Sequence, residues 1–202
     1  RPKMQALTES PDWPAEYRMS LAGEAAESAK AEASIMSGLP LAVAILVLIL
    51  IYQFNSMRRA LIIILTVPPM MIGVTPGLLL TKAPFGFMAF LGLISLMGVI
   101  VNNAIMLIDR MNIELASGQT MQDAIVVSSQ RRLRPILMTA ITTIIGLMPL
   151  SLSGGEMWRP MANTIMAGLA AATALTLGLC PVLYALFYRG NFRDYTWNPD
   201  VL

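Results

Sequence analysis

The stretch Gly98-Val-Ile-Val-Asn102-Asn103-Ala-Ile-Met106 places two adjacent amides in the middle of an apolar run long enough to cross a lipid bilayer. Three more such runs occur in the 202 residues, together with a fifth that prolines interrupt. Apolar helices are stable in lipid, whereas a polar side chain there requires a partner. The pattern therefore predicts an all-α, polytopic membrane helix bundle of five transmembrane helices, in which the buried polar residues point to the function.

The composition is that of a membrane protein. Hydrophobic residues make up 56% of the chain and charged residues 13%, whereas a soluble domain carries about 25% charged residues. A net charge of +2 argues against a nucleic-acid partner, because such binding uses a broad basic field. The chain has no histidine and one cysteine, Cys180. This excludes a disulfide framework and removes the commonest general base and zinc ligand.

The apolar runs divide the chain into three parts. Residues 1–34 form a polar extramembrane segment whose second half predicts a helix that runs into the first span. Residues 35–189 form the transmembrane helical domain, and residues 190–202 form a short tail. The polar start at Arg1, without an initiator methionine, predicts a fragment of a longer chain. The predicted spans are residues 35–52, 61–80, 87–108, 136–152 and 161–188.

The second and fifth spans carry features that predict close packing between helices. Pro68, Pro69 and Pro76 must kink or break the second span, because each removes a backbone donor. In the same span, Gly73 and Gly77 form a pair of small residues four apart. Small residues along one side of the fifth span predict a ridge on which another helix lies: Ala167, Ala170, Ala171, Ala174 and Gly178.

The arginines predict the orientation in the membrane. Eight of them lie in three segments that fall on the same side, whereas the short loops on the other side carry Lys82 and Arg159. The positive-inside rule then places the N-terminus outside the cell and the C-terminus in the cytoplasm. The eight residues are Arg58, Arg59, Arg110, Arg131, Arg132, Arg134, Arg189 and Arg193.

The connection between the third and fourth spans has a helix-start signal. Thr120 and Asp123 have the spacing of a helix N-cap residue and an acidic residue at the third position of the helix. Residues 124–128 then predict a short amphipathic helix, which either lies on the membrane surface or is a plain connector. Pro135 is typical of a first helical turn and predicts that the fourth span starts there.

One face of the third span is small and polar. In lipid this face would expose amides without partners, so we expect it to face a helix bundle or a hydrated path. Asn102 and Asn103 either form hydrogen bonds between helices, worth about 0.6–2 kcal/mol each, or serve a function. The helical spacing predicts that the face contains Gly92, Ser95, Gly98, Asn102 and Asp109.

The fourth span carries a cation and hydroxyls on one stripe. Arg132 and Thr139 are seven residues apart, which places them about 10.5 Å apart along the axis. They either conduct protons or ions, or Arg132 anchors the topology and the threonines bond back to their own helix. For Arg134, the interpretation as an anchor is favoured.

Four motifs follow one another in the second half of the chain: residues 98–109 (GVIVNNAIMLID), 132–139 (RLRPILMT), 146–150 (GLMPL) and 181–184 (PVLY). Together with Gln53-Phe-Asn-Ser56 and Val67-Pro68, they closely resemble the C-terminal membrane half of the resistance-nodulation-division (RND) efflux transporters. The resemblance is to the hydrophobe/amphiphile (acriflavine-resistance) branch and extends from about residue 35 to residue 189.

The resemblance implies a proton-driven exporter of drugs or other amphiphiles in the inner membrane of a Gram-negative bacterium. Members are usually homotrimers of long chains with twelve spans in two repeats, and this chain matches the last five. The implied partners are the lipid bilayer, the N-terminal transmembrane repeat with its paired aspartates, and the porter domain. For the full-length protein they also include a periplasmic adaptor and an outer-membrane channel.

The resemblance also implies which residues belong to the proton relay. Arg132 and Thr139 match family positions in that network, and Asn102 falls where many drug exporters have a lysine that pairs with the aspartates. An amide cannot supply the charge that depresses the pKa of an aspartate. The relay residues expected in this chain are therefore Asn102, Asn103, Arg132 and Thr139, and no cofactor is implied.

The alternative is a noncatalytic membrane scaffold or lipid-interacting module built on a related helical repeat. An enzyme is disfavoured, because the sequence has no central carboxylate pair, metal-ligand cluster or nucleophile elbow.

Overall fold

The computed structural model describes residues 24–188, and side-chain environments from residue 28 onward. Within this range there is no strand, and five helical segments are long and apolar enough to cross a membrane. The predicted all-α class with five spans is confirmed. The residues before 24, and the tail with Arg189 and Arg193, lie outside the described range. The helices are α1 (Glu24–Phe54), α2 (Met57–Leu65), α3 (Met71–Thr81), α4 (Phe87–Ala116), α5 (Met121–Ser153) and α6 (Gly155–Phe187).

The chain divides after Ala42 into two compact units. The first unit contains the start of α1, so the helix predicted in the second half of residues 1–34 is present from Glu24 onward. The second unit, from Val43, contains the rest of α1 and all of α2 to α6. Its centre is α6, which packs along α5, α4 and α3.

The second span is broken, as its prolines predict. Helix α2 ends at Leu65, and a 3₁₀ turn over Pro68–Met70 leads into α3. The Thr66 hydroxyl donates to the Ile63 carbonyl at 2.6 Å and satisfies a backbone acceptor at the end of α2. Pro76 lies inside α3, which continues through it. The span is therefore two short helices, and its break lies at the first two prolines.

The predicted glycine pair is the contact between α3 and α6. A Cβ at Gly73 would lie 2.3 Å from the Ala171 Cβ, and one at Gly77 would lie 2.1 Å from the Ala167 Cβ. Both distances are far below contact, so only glycine allows the two helices to approach this closely. The predicted ridge is correct for these two alanines only. The other three members of the ridge, Ala170, Ala174 and Gly178, are exposed.

Helix α5 corrects two predictions. The N-cap is confirmed, because Thr120 Oγ1 accepts from the Asp123 amide at 3.2 Å. However, the helix runs without interruption from Met121 to Ser153, so there is no separate surface helix. Residues 124–128 are largely buried against the bundle, which favours extension of the span over a free amphipathic helix. Pro135 consequently lies inside α5 and is not in its first turn.

Two apolar clusters form the core of the second unit. One joins Val74, Leu96 and Leu169 near the glycine contact. The other joins Leu107, Met111, Tyr184 and their neighbours, and it lies where α1, α2, α4, α5 and α6 meet. Arg58, Arg59, Arg110 and the arginines of α5 are found at this second end, which we call the basic end.

Candidate proton-relay face

The polar face of α4 is uncovered within this chain. Ser95, Gly98, Asn102 and Asp109 are all exposed, although much of the same helix is buried. We call these four residues the α4 polar stripe. Gly92 is not part of it, because a Cβ there would lie 2.9 Å from the Met161 carbonyl oxygen of α6. The prediction that Gly92 shares this face is wrong, since the residue lies 60–120° around the helix from the others at about 100° per residue.

The two adjacent amides have different environments. Asn102 is exposed on the α4 polar stripe, whereas Asn103 is buried, with 8% of its surface exposed. Neither side chain forms a hydrogen bond with another residue in the described part of the chain. The bonds between helices that one interpretation predicted are therefore not formed inside this chain. An exposed amide on a membrane span needs a partner from elsewhere.

The hydroxyls of α5 bond to their own helix. Thr139 Oγ1 donates to the Pro135 carbonyl at 2.9 Å, and Thr142 and Thr143 donate to carbonyls one turn back in the same way. This agrees with the interpretation that the threonines are satisfied locally. Thr139 and Thr142 are nevertheless exposed, and only a small part of the apolar segment of α5 is buried.

Arg132 and Arg134 differ in exposure. Arg132 is partly buried, while Arg134 is exposed. Among residues 24–188 neither forms an ion pair. No hydrogen bond joins any two of Asn102, Asn103, Arg132 and Thr139 within that range. The candidate relay residues thus lie on two neighbouring helices and are not linked to one another.

A buried carboxylate at the basic end was not predicted. Glu114 of α4 is 4% exposed and accepts from both Arg110 of the same helix and Arg131 of α5, the latter at 2.7 Å. The spacing of four between Arg110 and Glu114 is a sequence signal for a pair within the helix. The contact with Arg131 depends on how the turn between α4 and α5 folds. Neighbouring sequence therefore does not reveal it.

Two tyrosines at the end of α6 contact neighbouring helices at the basic end. The Tyr184 hydroxyl donates to Asn112 Oδ1 at 3.3 Å, which joins α6 to α4. Its ring stacks on Tyr188 with centroids 4.7 Å apart, and the Tyr188 hydroxyl lies 3.4 Å from Ser56 Oγ. These contacts connect the start of α2, the end of α4 and the end of α6, and they hold the basic end together.

A second buried amide lies near the other end. Asn163 of α6 is 4% exposed, and its Oδ1 accepts from the Ser151 hydroxyl of α5, while its Nδ2 is buried without a partner. If the Asn163 amide were flipped, Nδ2 would face Ser151 and Oδ1 would be the buried atom without a partner. Ser151 therefore satisfies one half of this amide. Among the described residues, no group of three acidic, cysteine or histidine side chains has the arrangement of a metal site.

Comparison with known proteins gives consistent matches. The model of the AcrB/AcrD/AcrF family matches residues 2–188. The multidrug resistance protein MdtC of Erwinia tasmaniensis is 34% identical over 190 residues, which are 92% of this chain and 18% of MdtC. The cobalt-zinc-cadmium resistance protein CzcA of Cupriavidus metallidurans is 30% identical over 179 residues, which are 87% of this chain and 17% of CzcA.

A solved structure gives the same result in three dimensions. The crystal structure of a heavy metal efflux pump superposes with a TM-score of 0.73 at 32% identity, and the match covers 93% of this chain and 19% of the pump. The chain thus spans less than a fifth of the length of these relatives. Its five apolar helices make it a multi-pass membrane protein. The chain belongs to the AcrB/AcrD/AcrF family of RND efflux transporters.

Proposed function

We propose that this chain is the C-terminal membrane part of a proton-driven exporter of drugs or other amphiphiles, and that it supplies one side of the proton relay. The observation that supports this most is the α4 polar stripe. Asn102 lies on an apolar helix of transmembrane length, yet no residue of the described chain bonds to it. A second polar surface, supplied by the remaining membrane repeat, would satisfy it.

The chemistry of an amide suits a partner that gains and loses a proton. The Asn102 Nδ2 group donates to a carboxylate, and its Oδ1 accepts from a carboxylic acid. An amide at this position therefore remains hydrogen-bonded in both protonation states of an aspartate. A lysine would instead favour the ionised state through its charge. We infer that the relay of this exporter relies more on hydrogen bonding at residue 102 than relays with a lysine there.

Arg132 and Thr139 are proposed to extend the relay along α5. Arg132 has no ion-pair partner in the described chain and is partly buried, so its charge is available to a carboxylate from another segment. The Thr139 proton is directed at the Pro135 carbonyl, which leaves the oxygen lone pairs as acceptors on an exposed face. Asn103, buried beside Asn102, is proposed to position that stretch of α4.

The proposal also covers the location of the chain in the membrane and its assembly with other proteins. It lies in a bacterial inner membrane with residues 1–34 in the periplasm, residues 35–189 in the membrane, and the tail 190–202 in the cytoplasm. The support is the location of the described arginines, which are concentrated at the basic end. The full-length protein is proposed to be a homotrimer that works with a periplasmic adaptor and an outer-membrane channel.

A second candidate cargo is a heavy-metal cation. Two observations favour it: CzcA is named for cobalt, zinc and cadmium resistance, and a matching solved structure is that of a heavy metal efflux pump. Residue 102 is also consistent with a different cargo, because many drug exporters have a lysine at this position and this chain has an asparagine.

An export assay separates these candidates. The full-length transporter is expressed in a strain without other exporters, and the tolerated concentration is measured for a cationic dye such as acriflavine and for cobalt, zinc and cadmium salts. The proposal expects at least a fourfold increase in tolerance of the dye and no change for the salts. Increased tolerance of the salts alone would establish the second cargo, and no change for either would favour a noncatalytic scaffold.

A further inference from the structure

An apolar groove runs between the second half of α1 and the start of α2. It encloses about 210 Å³. Its apolar lining consists of Val47, Ile51, Met57, Ala60, Leu61 and Ile64. Both helices belong to segments that are long and apolar enough to cross a membrane, which places a groove on their surface within reach of lipid chains. Its volume and its apolar lining suit part of one acyl chain.

A cation lies at the edge of this groove. Arg58 completes the lining and is exposed. It forms no ion pair with any residue between 24 and 188. A guanidinium at the boundary between an apolar groove and the aqueous phase is complementary to a phosphate attached to an acyl chain.

Arg58 also borders a second, wider cavity. The described part of its lining consists of Arg58 with Leu186, Phe187 and Tyr188 at the end of α6, and its volume is about 690 Å³. Arg58 thus borders both the apolar groove and a larger space that Tyr188 also lines. A phospholipid suits two spaces that share one cation, because its phosphate joins the acyl chains to the polar headgroup.

We propose that this site binds one anionic phospholipid, with the phosphate on Arg58, an acyl chain in the α1–α2 groove and the headgroup beside Tyr188. The lipid would hold α1, α2 and α6 together at the basic end. Cationic pockets between helices on the cytoplasmic side of membrane proteins are suited to such lipids. The site is separate from Asn102, Arg132 and Thr139 and does not depend on the exported substrate.

Native mass spectrometry of the 202-residue chain in detergent tests the site. The probes are dioleoylphosphatidylglycerol and dioleoylphosphatidylcholine, each titrated against the wild-type chain, R58Q, R58K and R134Q. R134Q removes an exposed arginine of α5 at the same end and is the matched control. Circular dichroism verifies that each variant is folded. We expect the first lipid to bind the wild type at least fivefold more tightly than R58Q, with R58K intermediate and R134Q unchanged.

Two further measurements address the acyl chain and other occupants. Leu61→Asn places a polar group in the groove at an exposed position, and it should weaken binding of the anionic lipid, whereas glycerol phosphate should bind neither the wild type nor the variant measurably. Equal binding of the two lipids, equal loss in R58Q and R134Q, or no effect of Leu61→Asn would overturn the proposal. Binding that appears only after deletion of residues 189–202 would also overturn it, since the tail would then be the natural occupant.

Discussion

Glu114 Oε1 accepts a hydrogen bond from Arg131 Nη1 at 2.7 Å, and this ion pair joins α4 to α5 across the turn at the basic end. Arg110 reaches the same oxygen from one turn earlier in α4. The carboxylate is almost completely buried, while the arginines remain partly exposed. Removal of the Glu114 carboxylate would leave Arg110 and Arg131 without the counter-charge that they share. The three residues therefore stabilise this end of the bundle.

Glu114→Ala should destabilise the bundle by about 1–3 kcal/mol, which is below the range for a fully buried pair because both arginines are partly solvated. Unfolding in detergent, followed by circular dichroism, measures the change. Glu156→Ala is the control, since Glu156 is exposed in the first turn of α6 and should cost less than about 1 kcal/mol. Equal effects of the two substitutions would show that the cluster contributes nothing specific.

Gly77→Ala should destabilise the contact between α3 and α6 by about 1–3 kcal/mol, because the added Cβ would overlap that of Ala167. Gly178→Ala is the control in α6, where a Cβ meets nothing within 4 Å, and it should be neutral or stabilising by up to about 1 kcal/mol. The double variant Gly77→Ala/Ala167→Gly should regain most of the lost stability. If the single variant is as stable as wild type, the helices are not in the close contact described.

Cysteine labelling tests the proposed orientation. Cys180 is fully buried and is first replaced by alanine, after which Arg58→Cys and Arg159→Cys are introduced separately at exposed positions. A membrane-impermeant maleimide added to cells with a permeabilised outer membrane should label residue 159 and should reach residue 58 only after the inner membrane is opened. Labelling of both residues from the same side contradicts the five-span topology.

Much of the fold follows from local sequence signals. Apolar runs predict the spans, Pro68 and Pro69 predict the break in the second span, and Gly73 and Gly77 predict a close helix contact, because each of these effects depends on a residue and its immediate neighbours.

The errors concern tertiary contacts. Pro135 has the properties of a first-turn residue, but burial of residues 124–128 extends α5 by fourteen residues before it. Gly92 resembles its polar neighbours in sequence, yet the approach of α6 defines its side of the helix. Glu114 pairs with a residue seventeen positions away. The polar character of residue 102 is visible in the sequence, whereas its exposure within the chain emerges only from the packing of α4.

Proton-coupled export by the full-length transporter in proteoliposomes tests the central claim most directly. Arg132→Ala, Thr139→Ala and Asn102→Leu are compared with wild type and with Arg134→Ala, and dye export and proton flux are recorded under an imposed pH gradient. All four positions are at least partly exposed within this chain, so the variants should insert and accumulate normally. We predict that the three relay variants lose both dye export and proton flux, while Arg134→Ala retains most of each. Export at the wild-type rate by Arg132→Ala and Thr139→Ala across the working pH range would contradict the account and make these residues structural.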